Sequence, residues 1–587
     1  MKLVNHFTRR VLMGAQGRSA TAWLAALTLS LAPTHVANAQ SCGVTLQSIG
    51  LSGEGAAGPS DFPVVSGDGT VVCFSSGATD LIVGDATPPT EPDVYAWDLG
   101  STTPELVSVS TAGVQASRSA SAHWTSWNGD LVLIASEATN LVPGDTNGKA
   151  DWFVRDRAAG TTTRVNLSET GLELNADTYA GKMTSDGRYF VFTTPATNVV
   201  AGDLNPKQDV FLRDLVTGVV AIVNIDTLGA QGTDSCGPGL VTEDGRLVVF
   251  DTLGNLAPCD TNLALPDVYV RDRVLGTTTC LSLDTSGVAS GGSLNDISGD
   301  GRFVVWQTSA KNVVPGPWNV QVHVYLTDRL LGTTERVSVA TTGIQANDDS
   351  SRGRVSLDGR FVTFESSASN LFPGIGIGWR VYLRDRVAKT TTLICQNDLG
   401  VSADGPSFRP AISDDGTVIA FQSDGKNLSA IPLHGLPNVF VRSCPPLGPA
   451  LYCVAKDNSQ GCLPSIAWQG TPRANAPSGF RIEATQVIGG RLGFLIYTTT
   501  SSTMLPFGGG YLCVGSPLRR VGAQLASGPP TGCDGAMVFD FNHFASSGVD
   551  PALVAGQQVW CQWWSRDGGF PPPNSLCLTA GLHFTLQ

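Results

Sequence analysis

Ser185-Asp186-Gly187-Arg188-Tyr189-Phe190-Val191-Phe192, then Asp209-Val210-Phe211-Leu212-Arg213-Asp214 after a polar stretch, decide the fold of this chain. The first phrase is an Asp-Gly turn running into a short aromatic and β-branched strand. The residues before it, 180–184, therefore pair back as a hairpin. The second phrase is a third strand, and residues 219–224, past a turn at Gly218, are a fourth. Four short antiparallel strands with no place for an amphipathic helix make one blade of a β-propeller.

Working outward, the pattern recurs every 56 to 60 residues from about residue 60 to 444. Its turns are Asp68-Gly69, Asn128-Gly129, Asp186-Gly187, Asp244-Gly245, Asp300-Gly301, Asp358-Gly359 and Asp415-Gly416. Six positions on stand Phe74, Ile134, Phe192, Phe250, Trp306, Phe364 and Phe421; a second block is built on Tyr95, Phe153, Phe211, Tyr269, Tyr325, Tyr382 and Phe440. Such self-similarity means units that bury their apolar faces only against neighbours. Copy seven stops after its third strand, but Leu46-Gln47-Ser48-Ile49 near the N-terminus matches Leu106-Val107-Ser108-Val109, the fourth strand of copy one. The reading is an all-β chain: a seven-bladed β-propeller over residues 40–444, closed by the N-terminal strand at residues 44–50. Cys42 and Cys444 then flank neighbouring strand ends and are expected to form a disulfide.

Phrases such as Ser356-Leu357-Asp358-Gly359-Arg360-Phe361-Val362-Thr363-Phe364 and Asp267-Val268-Tyr269-Val270-Arg271-Asp272 resemble the WD40-like repeats of TolB-type propellers. The resemblance runs through all seven copies, which are longer than the usual family blade because two loops are expanded. It implies the fold and names no ligand.

Residues 1–39 read as a signal peptide. Lys2, Arg9, Arg10 and Arg18 precede an apolar stretch from Ala20 to Ala32, and Ala37-Asn38-Ala39 suits cleavage before Gln40. Thr8-Arg9-Arg10-Val11-Leu12 is compatible with Sec or twin-arginine export. The expected location is periplasmic, cell-surface or extracellular. Without that segment 33 of the 37 basic side chains remain against 50 acidic ones, which disfavours nucleic acid as a partner. No later apolar run reaches membrane-spanning length.

Strand direction places the loops after strand two and the connectors from strand four on one side, where both are expanded. Long loops on a rigid scaffold are the expected binding surface. There the run Asp145-Thr146-Asn147-Gly148-Lys149-Ala150-Asp151 has oxygen-bearing side chains at a spacing able to wrap calcium. Asp203, Asn205 and Asp209 repeat it in copy three, and Asp260, Asn262 and Asp267 in copy four. Asp and Asn also cap turns through their own backbone, which explains the pattern without a metal. Calcium is the one cofactor considered. Cys236 and Cys259 are expected to pair, leaving Cys73, Cys280 and Cys395 free.

Residues 445–587 form a separate module, read as a small disulfide-rich β-sandwich. Pairing of sequence neighbours is expected among its cysteines: Cys453 with Cys462, Cys513 with Cys533, Cys561 with Cys577. Its phrases around Cys453–Cys462 and Trp563-Trp564-Ser565-Arg566-Asp567 look like a C-terminal domain of secreted bacterial proteins of unknown role. Trp560, Trp563 and Trp564 are a candidate glycan platform. The recurring Asp98, Asp156, Asp214, Asp272, Asp328 and Asp385, with their flanking arginines, are read as structural, because an active site is rarely sevenfold. No nucleophile elbow, zinc-protease motif or phosphate loop occurs. The expectation is a non-catalytic binding or scaffold protein for an extracytoplasmic protein or glycan. The alternatives are a propeller-type polysaccharide lyase or glycoside hydrolase, and a calcium-stabilised envelope structural protein.

Overall fold

The structure is a computed structural model that describes residues 42–262, 265–444, 448–572 and 574–587. Residues 1–39, expected as a signal peptide, lie outside these residues. Among them the repeat region folds as seven four-stranded antiparallel sheets. The third, typical of the set, runs Ala180–Met183, Tyr189–Thr194, Asp209–Asp214 and Val220–Ile222, each strand paired to the next. The two aromatic positions of each copy are direct cross-strand partners, as in Phe192 opposite Phe211 and Trp306 opposite Tyr325, with ring centroids 5.6 and 5.3 Å apart. Such pairs are the unit of sheet stabilisation.

The seventh sheet draws its outer strand from the N-terminus. Gly43–Leu46 pairs with Asn438–Ser443, Val44 opposite Arg442 and Leu46 opposite Phe440. Just beyond, Cys42 is bonded to Cys444 with Cα atoms 4.4 Å apart. None of the seven sheets closes on itself; each stays open and four-stranded. What joins them is side-chain packing. Shared apolar cores link each sheet to the next: Cys73 and Val94 with Ile134, Trp152 with Phe190, Val191 with Phe250, Val249 with Trp306. One core spans sheets five to seven, and another sets Val72 and Phe74 of the first sheet against Val418 and Val439 of the seventh.

The glycines of the Asp-Gly turns show why the repeat keeps them. All have positive φ, between 70° and 77°, and a Cβ on any of them would collide with the preceding sheet. Gly245 would meet Tyr189, Gly359 would meet Phe303, and Gly69 of the first copy would meet Val418 of the seventh at 2.8 Å. In six of the seven the nearest obstacle lies three residues past the preceding copy's turn aspartate or asparagine; at Gly301 Thr242 is nearer still, with Leu247 at that position next. Glycine here serves both turn geometry and close approach. The recurring charges are structural too. Arg188, Arg246, Arg302 and Arg360, just past the turns, pair with Asp214, Asp272, Asp328 and Asp385 at 2.7–2.9 Å. Arg213 and Arg271 instead donate to backbone carbonyls of the preceding sheet's connector, Leu167 at 2.7 Å and Asp226 at 3.0 Å.

The C-terminal module holds a six-stranded sheet, a three-stranded sheet and a two-stranded one. Its core sets Phe480, Ile482 and Ala484 of the three-stranded sheet against Leu495, Val559, Trp563 and Phe584 of the larger one. Its disulfides correct the neighbour-pairing expectation: Cys453 bonds Cys513 and Cys462 bonds Cys533. Cys561 and Cys577 are buried thiols, facing Leu582 and Ser565 on adjacent strands rather than each other. Cys259 bonds Cys280, and Cys236 is free. Cys280 ends the outer strand Thr277–Cys280. Cys236 instead bridges Thr252 at the entry of its sheet, so the loop cysteine takes the outer-strand partner.

Candidate functional site

A cavity of about 340 Å³ is lined by first-strand residues of all seven sheets, among them Val64, Trp124, Met183, Val241, Ile297, Val355 and Ala411. On the loop-bearing side it meets a second pocket of about 600 Å³, and Arg352 and Arg409 belong to both. Three mouth residues stand on bent backbone. Phe62, Arg352 and Arg409 have φ of 50°, 52° and 53°. Each sits where first-strand pairing skips, between Asp61 and Val64, Ser351 and Arg354, Phe408 and Ala411. Such bulges re-aim side chains, and a non-glycine residue in this conformation costs about 1–2 kcal/mol.

The Arg409 guanidinium lies 3.5 Å over the Phe62 ring. Arg352 pairs with Glu365 at 3.1 Å, and Glu365 also accepts the Arg409 backbone N–H at 2.8 Å. Trp379 and Phe408, centroids 6.2 Å apart, stand beside them with Gln307 and Gln422. At the next bulge His123 contacts the Ser121 hydroxyl at 2.8 Å; burial, then the charge of Arg409, hold its imidazole down to about 4, so it is neutral at physiological pH.

Deeper, Lys182 reaches from the third sheet to Asp296 of the fifth at 2.7 Å. Burial would raise the Asp296 carboxyl, but Lys182 and Arg354 outweigh it and hold it below its ordinary value. Glu243 accepts the Ser185 N–H and hydroxyl at 2.6 and 2.9 Å, and burial pushes it up to about 8. Asp414 is raised to about 7 by burial and by the charges of Asp415 and Asp68, and its Oδ2 has no hydrogen-bond partner.

On the opposite side, the Asp-Gly turns meet the C-terminal module. The Tyr511 hydroxyl donates to Asp186 at 2.6 Å, Arg246 pairs with Asp457 at 3.4 Å, and Trp127 shares an apolar cluster with Tyr452, Cys453 and Cys513. Turns of the second, third and fourth sheets are thus covered, while the mouth lies on the other side.

The sequence-predicted calcium residues do come together, but a protein N–H donor stands among them. In copy two, the Arg164 guanidinium lies 3.5 Å from Asp145, 2.9 Å from Asp151 and 2.7 Å from Glu173. Asn147 donates to Asp151 at 3.2 Å. In copy three, Gln231 donates to Asp203 and Asp209, both at 2.9 Å, and Asn205 donates to the Gly232 carbonyl. In copy four, Asn262 donates to Asp267 at 2.7 Å and Tyr269 to Asp260 at 2.7 Å. These donors hold the space between the carboxylates, so the residues do not fit an ion in the arrangement seen. The tryptophans do not share one platform: Trp563 is fully buried, Trp560 stacks on His583 with centroids 4.7 Å apart, and Trp564 lies against Phe494.

Sequence reasoning did not single out Phe62, Arg352 and Arg409. Their common signal is an offset, six residues before the turn aspartates Asp68, Asp358 and Asp415.

No protein-family model and no curated protein matches the chain. Among solved structures it is similar to β-propeller proteins. The β-propeller domain of the Trilobed protease from Pyrococcus furiosus is 11% identical with a TM-score of 0.42, over 66% of this chain and 94% of that one. TolB from Acinetobacter baumannii is 13% identical with a TM-score of 0.30, over 50% of this chain and 60% of its own. TolB-like protein from Agrobacterium tumefaciens is 16% identical with a TM-score of 0.30, over 50% and 88%. At these levels the likenesses do not extend to activity or partner.

Proposed function

We propose that this is an exported binding protein: a closed seven-bladed propeller over residues 40–444, preceded by a signal peptide at 1–39, that takes an extracytoplasmic partner on its loop-bearing face. The core between first and seventh sheets and the Gly69–Val418 contact support closure. Residues 445–587, as a β-sandwich module, act as a lid on the turn face. One observation carries the reading. The C-terminal module packs on the Asp-Gly turns, which leaves the cavity mouth and expanded loops as the open surface, and rigid scaffolds bind through such loops. The test is a glycan and envelope-protein binding screen on residues 40–587, followed by hydrogen-exchange mapping. Protection should fall on the loop face around Phe62 and Trp379. Protection confined to the C-terminal module would refute the reading.

A second reading, a propeller lyase or glycosidase, is favoured by Glu243 and Asp414, two cavity carboxyls tuned towards neutrality. Against it, Asp296 and Glu365 are each tied to their own cations. Turnover of a polysaccharide that Glu243→Gln abolishes would establish it; no turnover across a polysaccharide panel would dismiss it. A calcium-stabilised scaffold is disfavoured by the donors described above.

A further inference from the structure

We infer that the cavity mouth is a site for an acidic oligosaccharide, one whose uronic-acid carboxylate lies between Arg352 and Arg409; this rests on the loop-face reading above. The charge is local and against the trend of the molecule. The chain as a whole is at −13, yet Arg352, Arg354, Arg409 and Lys182 converge on this cavity. Asp296 and Glu365 answer them directly at 2.7 and 3.1 Å, and Asp61 stands 3.9 Å from Arg409; the cavity's other carboxyls, Glu243 and Asp414, lie deeper, and burial holds them towards the neutral form.

Two polar atoms at the mouth are buried and have no hydrogen-bond partner, Arg409 Nη1, with the Asp61 carboxylate no nearer than 3.9 Å, and Asn295 Oδ1. Buried polar groups are ordinarily bonded, so a donor and an acceptor left without partners at one mouth call for a ligand offering both. A guanidinium recognises a carboxylate through paired N–H bonds, and sugar hydroxyls serve an amide oxygen as donors. Trp379 and Phe408 supply flat apolar faces of the kind that pyranose rings cover, while Gln307 and Gln422 supply further amides. The pocket, about 600 Å³, is within the range of ligand sites. The left-handed backbone at Phe62, Arg352 and Arg409 adds an independent sign, since strain of this kind persists where a site holds side chains for a ligand. A strand-adding peptide is less suited, because the mouth offers side chains from three bulged strands rather than an open sheet edge.

The experiment is calorimetric titration of residues 40–587 with tetragalacturonate at low salt. Its neutral methyl ester and an acidic peptide of equal charge serve as comparisons. The acid form should bind, the ester at least tenfold more weakly, and added salt should weaken binding. Arg352→Gln, whose side chain is 52% exposed and can change without unfolding the sheet, should lower affinity about tenfold, and Arg409→Gln likewise. Equal binding of ester and acid, tighter binding of the peptide, indifference to Arg352→Gln, or no binding of the acid form would overturn the assignment. Another partner that protects the loop face while ignoring both substitutions would overturn only the ligand class. Protection confined to the C-terminal module would remove the loop-face reading itself.

Discussion

Replacing Arg164 by leucine is the sharpest test of how the second sheet's loop is held. The guanidinium is 10% exposed and touches Asp151 at 0% and Asp145 at 3%, with Glu173 the more open partner at 23%. Removing one member of such a buried set leaves uncompensated charge, at a cost of about 3–5 kcal/mol. Leucine itself suits the position. The register partner of Phe153 is Arg164, while the corresponding partners of Tyr95, Phe211, Tyr382 and Phe440 are Leu106, Ile222, Leu393 and Leu46. Where the first and third sheets have an aliphatic residue there, they carry Gln115 and Gln231, which donate to the same carboxylate pair. The double variant Arg164→Leu/Glu173→Gln rebuilds that arrangement and should recover most of the loss. Denaturant melts of the parent, of Arg164→Leu and Glu173→Gln singly and of the double variant read both effects. Calcium at millimolar level should rescue Arg164→Leu, in which Asp145, Asp151 and Glu173 oxygens within 4.8 Å of one another lose their internal cation. A chelator should leave the parent unchanged. An Arg164→Leu variant as stable as the parent, or a parent that melts earlier with chelator, would refute the reasoning.

Gly245→Ala, at φ 70° and against the Tyr189 ring, should destabilise by about 2–4 kcal/mol in denaturant melts, since backbone strain and overpacking combine. Removing the Cys42–Cys444 bridge with paired serines frees a 402-residue loop and should cost up to about 5 kcal/mol in the chain-entropy treatment, seen as a lower midpoint with the oxidised parent as reference. The raised carboxyls of Glu243 and Asp414 bind protons longer in the folded state than in the unfolded chain. Their contribution is therefore complete below about pH 4 and is lost as pH rises towards 8. Glu243→Gln should flatten the fall in stability between pH 5 and 8; an unchanged slope would refute that assignment.

The strand pattern was legible because its signals are local. An Asp-Gly turn, a period of two and an aromatic pair each act within a few residues, and repetition removed the ambiguity of any single copy. The match of Leu46–Ile49 to Leu106–Val109 placed the N-terminal strand for the same reason. The cysteines show the limit. Cys453 reaches Cys513 and Cys462 reaches Cys533 through sheet geometry that sequence proximity does not encode, and Cys259 chooses Cys280 over the almost equally distant Cys236 by the position of the outer strand. The calcium-like spacing likewise gave the carboxylates but not Arg164 or Gln231, which arrive from an outer strand and a connector.

The sequence by itself determined the repeating unit, its strand order and the strand that completes the last copy, because neighbouring residues dictate turns and alternation. Only the tertiary structure decided the mouth. The meeting of Phe62 with Arg352 and Arg409, about 290 and 350 residues further along the chain, depends on how the first strands gather around one cavity and on bulges that turn their side chains towards it. Side chains converging from separate sheets leave no local trace in the chain that encodes them.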